Sequence, residues 1–169
     1  MMVEVDNQTQ EHVGKGPDLI VVPIGVGSLG QAVVAHFKGR TPSAAVLAVE
    51  PDTAACLKTS LENGRITSIS TGNTTMCGMN CGTVSTLAWP VLHNGVDASI
   101  TVTDADSKSA QDMLEELQVS VGPCAAATLA ALIKVCGGGA EDGFLHISTE
   151  SVVVLLGTEG PRGEASDMS

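Results

Sequence analysis

The residues best suited to chemistry are Gly25, Val26, Gly27, Ser28, Leu29 and Gly30, a glycine-rich run between an apolar stretch and an amphipathic one. Placed after a buried strand and before a helix, such a loop gathers successive backbone N–H groups and the positive end of a helix dipole at one point, where an anion belongs. Gly25, Gly27 and Gly30 spare the Cβ atoms that would hold a phosphate off the backbone, and Ser28 adds a hydroxyl donor. As a pattern, G-x-G-x-x-G fits a dinucleotide site, another phosphate-bearing ligand or a tight strand-to-helix turn. Glu50, 20 residues beyond Gly30, stands where an acid would hold a ribose, although Pro51 follows it at once. A P-loop is excluded, because Gln31 and Ala32 follow Gly30 and no lysine does.

Other candidates have plainer readings. Cys77 and Cys81 stand four apart, but no nearby His or carboxylate completes a ligand set, so no metal site is expected and both thiols read as loop residues lining a pocket. Cys56 and Cys136 fall in apolar helical patterns and read as buried thiols. His36 reads as a solvated or packing residue and His93 as a helix-end cation. Glu50 reads as a strand-end acid satisfying backbone donors, and Asp104 and Asp106 as cap and first-turn acids.

The elements that must position these residues follow from apolar patterning. Apolar residues make up 43% of the 169, yet there are only two Phe, one Trp and no Tyr, so the core is built from Val, Leu, Ile, Ala and Met. That suits buried parallel strands covered by Ala-rich helices. Short apolar runs predict strands at 18–23, 44–50, 98–103 and 151–156, the last of them buried. Helical spacing predicts helices over 28–38, with Ser28 as cap, and over about 51–62 and 84–93, with a kink or restart at Pro90. It also predicts helices over 104–117, with Met113, Leu114 and Leu117 on one face, and over 123–135, starting on Pro123 and stopped by Gly137-Gly138-Gly139. Residues 1–16 read as an arm or helix stub, and 161–169 as a disordered tail. The irregular segment 66–81, with a short helix near Met76, is long enough to be functional. The expected fold is an α/β three-layer, open, mostly parallel sheet with helices on both faces and ligands at the carboxyl ends of the strands.

Nineteen acidic against eight basic residues give a net charge of −11, which repels a phosphate backbone and excludes nucleic acid as a partner. No apolar run is long enough for a membrane span, the N-terminus is polar and the cysteine count is odd at five, so a cytoplasmic protein without a disulfide framework is expected.

Four segments in order then resemble one family. Val22-Pro-Ile-Gly-Val-Gly-Ser-Leu29, Ala48-Val-Glu-Pro51, Met76-Cys-Gly-Met-Asn-Cys-Gly82 with Leu87-Ala-Trp89, and Leu156-Gly-Thr-Glu-Gly160 are similar to the large domain of fold-type-II (tryptophan synthase β-like) pyridoxal-phosphate enzymes, nearest diaminopropionate ammonia-lyase. The resemblance covers 17–160 and implies roles by position. Gly25, Val26, Gly27, Ser28 and Leu29 would hold the cofactor phosphate and Thr158 the pyridine nitrogen. Met76, Cys77, Gly78, Met79, Asn80 and Cys81 would line the substrate side, and Glu159 would be an acid or base near the pocket.

Two departures shape the expected activity. The family's imine-forming lysine belongs to a domain preceding the strand at Asp18, and none of Lys15, Lys38, Lys58, Lys108 and Lys134 occupies its motif. Pyridoxal phosphate acts as an electron sink only once its aldehyde forms an imine, so no covalent imine and no ordinary elimination are expected from this chain alone. Ser120-Val-Gly-Pro-Cys124 also lacks the acidic residue that ammonia-lyases of the bacterial type carry in a Ser-Gly-Glu-Ser-Gly segment. Three functions fit. The chain is half of a truncated or split lyase completed by a lysine-bearing partner, a cofactor-independent isomerase or cyclase reusing the vacated cleft, or a non-catalytic binding or regulatory pseudoenzyme. Its ligand is a small-molecule substrate or a phosphate-bearing compound, and the exposed cleft face favours a homodimer.

Overall fold

The computed structural model describes residues 1–138, 145 and 147–161. Its first element is α1 (Met2–Val13), a helix with no fully buried residue, closed by Gly14 at φ +77°. The chain then alternates β1 (Leu19–Pro23), α2 (Ser28–Phe37), β2 (Ala45–Pro51), α3 (Cys56–Glu62), α4 (Trp89–Gly95), β3 (Ala98–Val102), α5 (Asp104–Glu116), α6 (Pro123–Cys136) and β4 (Val153–Leu155). All described strands are parallel, in the order β3-β2-β1-β4.

Period-two side-chain alternation builds the layers. Leu19, Val21, Leu47 and Val49 face a core shared with Ala126, Ala127 and Ala131 of α6, whereas Ile20, Val22, Val46 and Ala48 face Val33, Phe37, Leu57 and Leu92 of α2, α3 and α4. Small alanines let α6 lie close to the sheet, which is why a core with so few aromatics still fills. The chain moves outward from β1 through β2 to β3, then returns past β1 to β4. With crossovers of one hand, that reversal sends α5 and α6 to the opposite face from α2 to α4. It also opens a crevice between β1 and β4 at their carboxyl ends, where ligands bind in open α/β sheets.

Several boundaries differ from the sequence expectation, each for a local reason. Gly27, at φ +100°, is the N-cap of α2, and Ser28 is the first helical residue with no capping bond. Thr103 rather than Asp104 caps α5. It accepts from the Asp106 N–H while the Asp106 carboxylate accepts from the Thr103 N–H, a capping box that outcompetes a lone aspartate. Pro90 sits in the first turn of α4, so the helix starts at Trp89 rather than at 84. Asp52–Ala54 forms a separate 3₁₀ turn before α3. Leu114 packs on the core, but Met113 and Leu117 are exposed, because Ser107 and Ala110 fill the narrow contact with α6. Cys136 is exposed at the last residue of α6, while Cys56 is buried. β4 is half-buried, since it is an edge strand. Residue 139 and the tail from 162 on lie outside the described residues.

Candidate functional site

A cavity of about 380 Å³ opens in the β1/β4 crevice, lined by Gly25 to Leu29 on one side, Gly78 and Met79 on another, and Cys124, Thr158 and Glu159 on the third. Pro23 at the end of β1 forms its floor. The last ladder bond, from the Ile24 N–H to the Val49 carbonyl at 2.9 Å, fixes where the loop leaves the sheet. The Val26 carbonyl then accepts the Ser85 N–H at 2.9 Å and the Gly27 carbonyl accepts the Gln31 N–H at 2.8 Å. These bonds use the loop's carbonyls and leave its amides. Among the described residues, no hydrogen bond takes the N–H of residues 25–30, the Ser28 hydroxyl or the Thr158 hydroxyl. A run of free amides at the start of a ten-residue helix, with a hydroxyl beside them, is a donor set that fits a phosphate.

The glycines have a different reason from the one their pattern suggests. A Cβ on Gly25 would stand 2.7 Å from the Gly78 carbonyl oxygen and 3.3 Å from the Cys81 sulfur. One on Gly27 would stand 2.6 Å from the Leu92 side chain, and one on Gly30 would stand 2.5 Å from Ile24. The missing side chains make room for neighbouring protein, and the close packing that results brings the 76–82 segment against the loop.

That segment is tied down by Asp104 at the first turn of α5. The Asp104 carboxylate accepts the Thr74 hydroxyl at 2.6 Å, the Thr75 N–H at 3.0 Å and the Thr75 hydroxyl at 3.0 Å. Burial pushes its pKa up, but the hydrogen bonds from Thr74 and Thr75 outweigh that and hold it below the ordinary aspartate value. A 3₁₀ turn, Cys77–Met79, follows. Met79 and Gly78 reach the cavity, whereas Met76 is wholly buried in the core under α6. Cys77 is exposed with its thiol toward the Thr74 carbonyl, and the Asn80 amide donates to the Gly72 carbonyl at 3.1 Å. Cys81 is half-buried behind Gly25. Cys77, Asn80 and Cys81 are therefore not among the cavity-lining residues.

The third wall is the start of α6. Pro123 opens the helix, so the Cys124 N–H points out of its end, and the Glu159 carboxylate accepts it at 2.6 Å. Gly122 is the cap, and a Cβ there would stand 2.6 Å from the Glu159 carboxylate. Glu159 thus neutralises the positive end of α6, leaving that of α2 to face the cavity. Cys124 was not legible as a site residue; the signal for it is proline at the first helical position, which puts the next residue's N–H at the helix mouth.

Glu50 lies outside the cavity. It is fully buried at the end of β2, and its two oxygens accept the Leu57 N–H at 2.7 Å and the Lys58 N–H at 2.8 Å, the strand-end role its position suggested. Burial pushes its pKa from 4.5 up to about 7. The folded state therefore keeps a proton between those values that the unfolded chain has released, and stability falls as pH rises through that window. The upper limit of the effect is on the order of 3 kcal/mol. Urea midpoints should drop between pH 5 and 7.5, and Glu50→Gln should flatten the drop. A wild-type midpoint constant over that range would refute the buried proton. Below pH 4 the trend reverses, because Asp18, Asp104 and Asp106 have lowered pKa values and their contributions are lost as they protonate.

His36 contacts Asp6 at 2.7 Å and His93 stacks on Trp89, both away from the cavity. Among the described residues no cluster of ligands could hold a metal, and no helix is long and apolar enough to cross a membrane. None of the five lysines lines the cavity. Lys15 and Lys38 pair with Asp18 and Asp97, Lys58 lies near Glu62, Lys108 pairs with Asp112, and Lys134 donates to the Thr101 carbonyl.

Comparison with known proteins identifies the scaffold. Residues 2–157 match the pattern of the family described as pyridoxal-phosphate dependent enzyme. The chain belongs to that family. It is 35% identical to the serine racemase of Arabidopsis thaliana over 118 residues, which is 69% of this chain and 35% of that protein. Its fold superposes on the threonine deaminase of T.th. with a TM-score of 0.79 at 25% identity, covering 95% of this chain and 54% of that one. Diaminopropionate ammonia lyase from Escherichia coli shares the fold, with a TM-score of 0.79 at 24% identity, covering 94% of this chain and 43% of that one. The chain thus spans about a third to a half of the length of these relatives. The fold-type-II architecture expected from the four segments is the one observed.

Proposed function

We propose that this chain supplies the phosphate-holding half of a pyridoxal-phosphate site that acts on a small hydroxy- or amino-substituted amino acid, in the manner of the serine, threonine and diaminopropionate enzymes it is similar to. The observation that carries this reading is the run of amides at residues 25–29, without a hydrogen-bond acceptor among the described residues, facing Thr158 across the β1/β4 crevice. Val26, Gly27, Ser28 and Leu29 would hold the phosphate. Thr158 would donate its hydroxyl to the ring nitrogen, holding it without the carboxylate that would favour its protonated form. Gly78 and Met79 would bound the substrate side. Glu159 would stand at the cavity as an acid or base, with one of its oxygens holding the Cys124 N–H. When bound, the cofactor supplies the electron sink for chemistry at the substrate Cα.

The chemistry also needs an imine-forming lysine, and we assign it to protein outside this cavity, either a lysine-bearing partner chain or further sequence joined to this one. Val26 is half-exposed at the cavity edge, and Leu87, exposed to 81%, lies two residues beyond the Ser85 that binds the Val26 carbonyl. They give this face an apolar rim suited to such docking or to a second copy of the chain. Sedimentation at high concentration should show a dimer, and a clean monomer would count against self-association.

Incubation with pyridoxal phosphate followed by borohydride tests the assignment of the lysine. The isolated chain should bind the cofactor and, after borohydride, release it with its aldehyde reduced to the alcohol, with no lysine carrying a reduced adduct. Stoichiometric labelling of one of the five lysines would overturn it.

A further inference from the structure

The glycine loop is backed by a side chain that no ligand reaches. Leu92 of α4 is fully buried, and its two terminal methyl groups divide between two glycines. Cδ1 stands 2.6 Å from the place that a Cβ on Gly27 would take, and Cδ2 stands 3.0 Å from the place that one on Gly30 would take. These glycines are three residues apart, so they lie on one side of the first turn of α2. Ala88 and Val84 flank the Gly27 contact at 3.3 and 3.6 Å. The segment that carries Leu92 is itself tied to the loop and to α2. Its Ser85 N–H holds the Val26 carbonyl at 2.9 Å, and the Ser85 carbonyl accepts the Ala88 and Trp89 N–H groups at 3.1 and 3.0 Å, which opens α4. At the far end of α4, a Cβ on Gly95 would stand 2.2 Å from Val34 Cγ1. α4 therefore meets α2 at its start and again further along, which sets both the place and the direction of that helix.

We propose that Leu92 is the positioning residue of the phosphate cradle: its forked side chain stops the first turn of α2 from sinking toward α4, and so aims the Val26 to Leu29 amides into the cavity. Local preference does not fix this shape, because glycine adopts many backbone conformations with little penalty. Packing must select the one at Gly27, whose φ is +100° and which caps α2. Leu92 makes that selection by filling the two places that side chains at Gly27 and Gly30 would otherwise occupy. Being buried, it acts on a ligand only through the loop.

The consequence for binding rests on the phosphate reading above, but the positioning itself can be seen without any ligand. Leu92→Ala leaves space beneath both glycines, so the amide NMR signals of residues 26–30 should move in the ligand-free chain. Leu19→Ala is the control. It empties a fully buried leucine site at the amino end of β1, away from the cavity at the carboxyl ends, and should leave those amides in place. Leu92→Val draws both methyl groups back and should give the same shifts to a smaller degree, so a Leu92→Ala chain that fails to fold does not end the test. Amides of residues 26–30 that stay still in the Leu92 variants, or that move equally in Leu19→Ala, would overturn the proposal.

Pyridoxamine 5′-phosphate, which cannot form an imine with lysine, reads the effect on the site. Its Kd should rise about tenfold or more in Leu92→Ala, the worth of one hydrogen bond to a charged group, and stay close to the wild-type value in Leu19→Ala. Gly30→Ala then tests the contact itself. In the wild-type background its methyl group would press on Leu92 and weaken binding, whereas in Leu92→Ala it would fill part of the emptied space. The double variant should therefore bind more tightly than Leu92→Ala alone. The other close neighbour, Ile24 Cδ1 at 2.5 Å, is present in both backgrounds and cancels in the comparison. Where the wild-type chain binds, a Leu92→Ala affinity no weaker than that of Leu19→Ala would overturn the proposal, as would strictly additive effects of Gly30→Ala and Leu92→Ala. Amides of residues 26–30 that move in the Leu92 variants of a chain whose wild type binds no pyridoxamine 5′-phosphate would uphold the positioning and refute the proposed function.

Discussion

Gly25→Ala should abolish binding of pyridoxamine 5′-phosphate and lower stability by about 1–3 kcal/mol, the range for inserting a methyl group into a filled space. The new Cβ would lie 2.7 Å from the Gly78 carbonyl oxygen, and that oxygen belongs to backbone. A side chain could rotate away, but a peptide unit cannot do so without shifting the 3₁₀ turn it belongs to. Either the glycine loop or the Cys77–Met79 turn must then withdraw, and both line the cavity. Calorimetric titration together with urea unfolding would measure the two effects. Wild-type affinity in Gly25→Ala would mean that the loop and the turn need not approach so closely.

Asp104→Ala should loosen the cavity wall that Gly78 and Met79 form more than it loosens the protein. Its carboxylate gathers three donors from Thr74 and Thr75, and bonds to a charged acceptor carry about 1.5–3 kcal/mol each in protected settings. Asp104 is partly exposed, so water replaces much of this, and a stability loss of about 1–2 kcal/mol is expected. Amide exchange over residues 74–80 should accelerate by at least about tenfold while the β1 and β2 amides keep most of their protection. Asp104→Asn, which keeps one acceptor oxygen, should fall between. The lowered Asp104 pKa adds a sign: this restraint is in full force above the ordinary aspartate range and is lost as pH falls through the folded value. Unchanged exchange over 74–80 in Asp104→Ala would remove Asp104 from any positioning role.

The strands, the layer order and the site's location at the strand ends were legible because they depend on periodicity. Runs such as Leu19–Pro23 and Ala45–Pro51 are apolar on both faces, which only a covered parallel sheet explains. Helix starts were less legible. Thr103, Asp104 and Asp106 are all capping types within four residues, and only the reciprocal bonds between Thr103 and Asp106 select the first. The purpose of the glycines was hidden as well, since a pattern records that a Cβ is missing but not which neighbour occupies its place. In the 66–81 segment nothing periodic distinguishes Met76, in the core, from Met79, at the cavity. Glu159 could be placed near the pocket by resemblance, while its bond to the Cys124 N–H depends on a contact between residues 35 apart.

The amides of Val26, Gly27, Ser28 and Leu29 are proposed to hold a phosphate. Titrating isotopically labelled protein with pyridoxamine 5′-phosphate tests this most directly. These four amides should shift together and saturably, the Thr158 amide should shift with them, and inorganic phosphate should reverse the change by competition. Saturable binding that moves amides elsewhere and leaves residues 26–29 still would contradict the account, as would no shift at all.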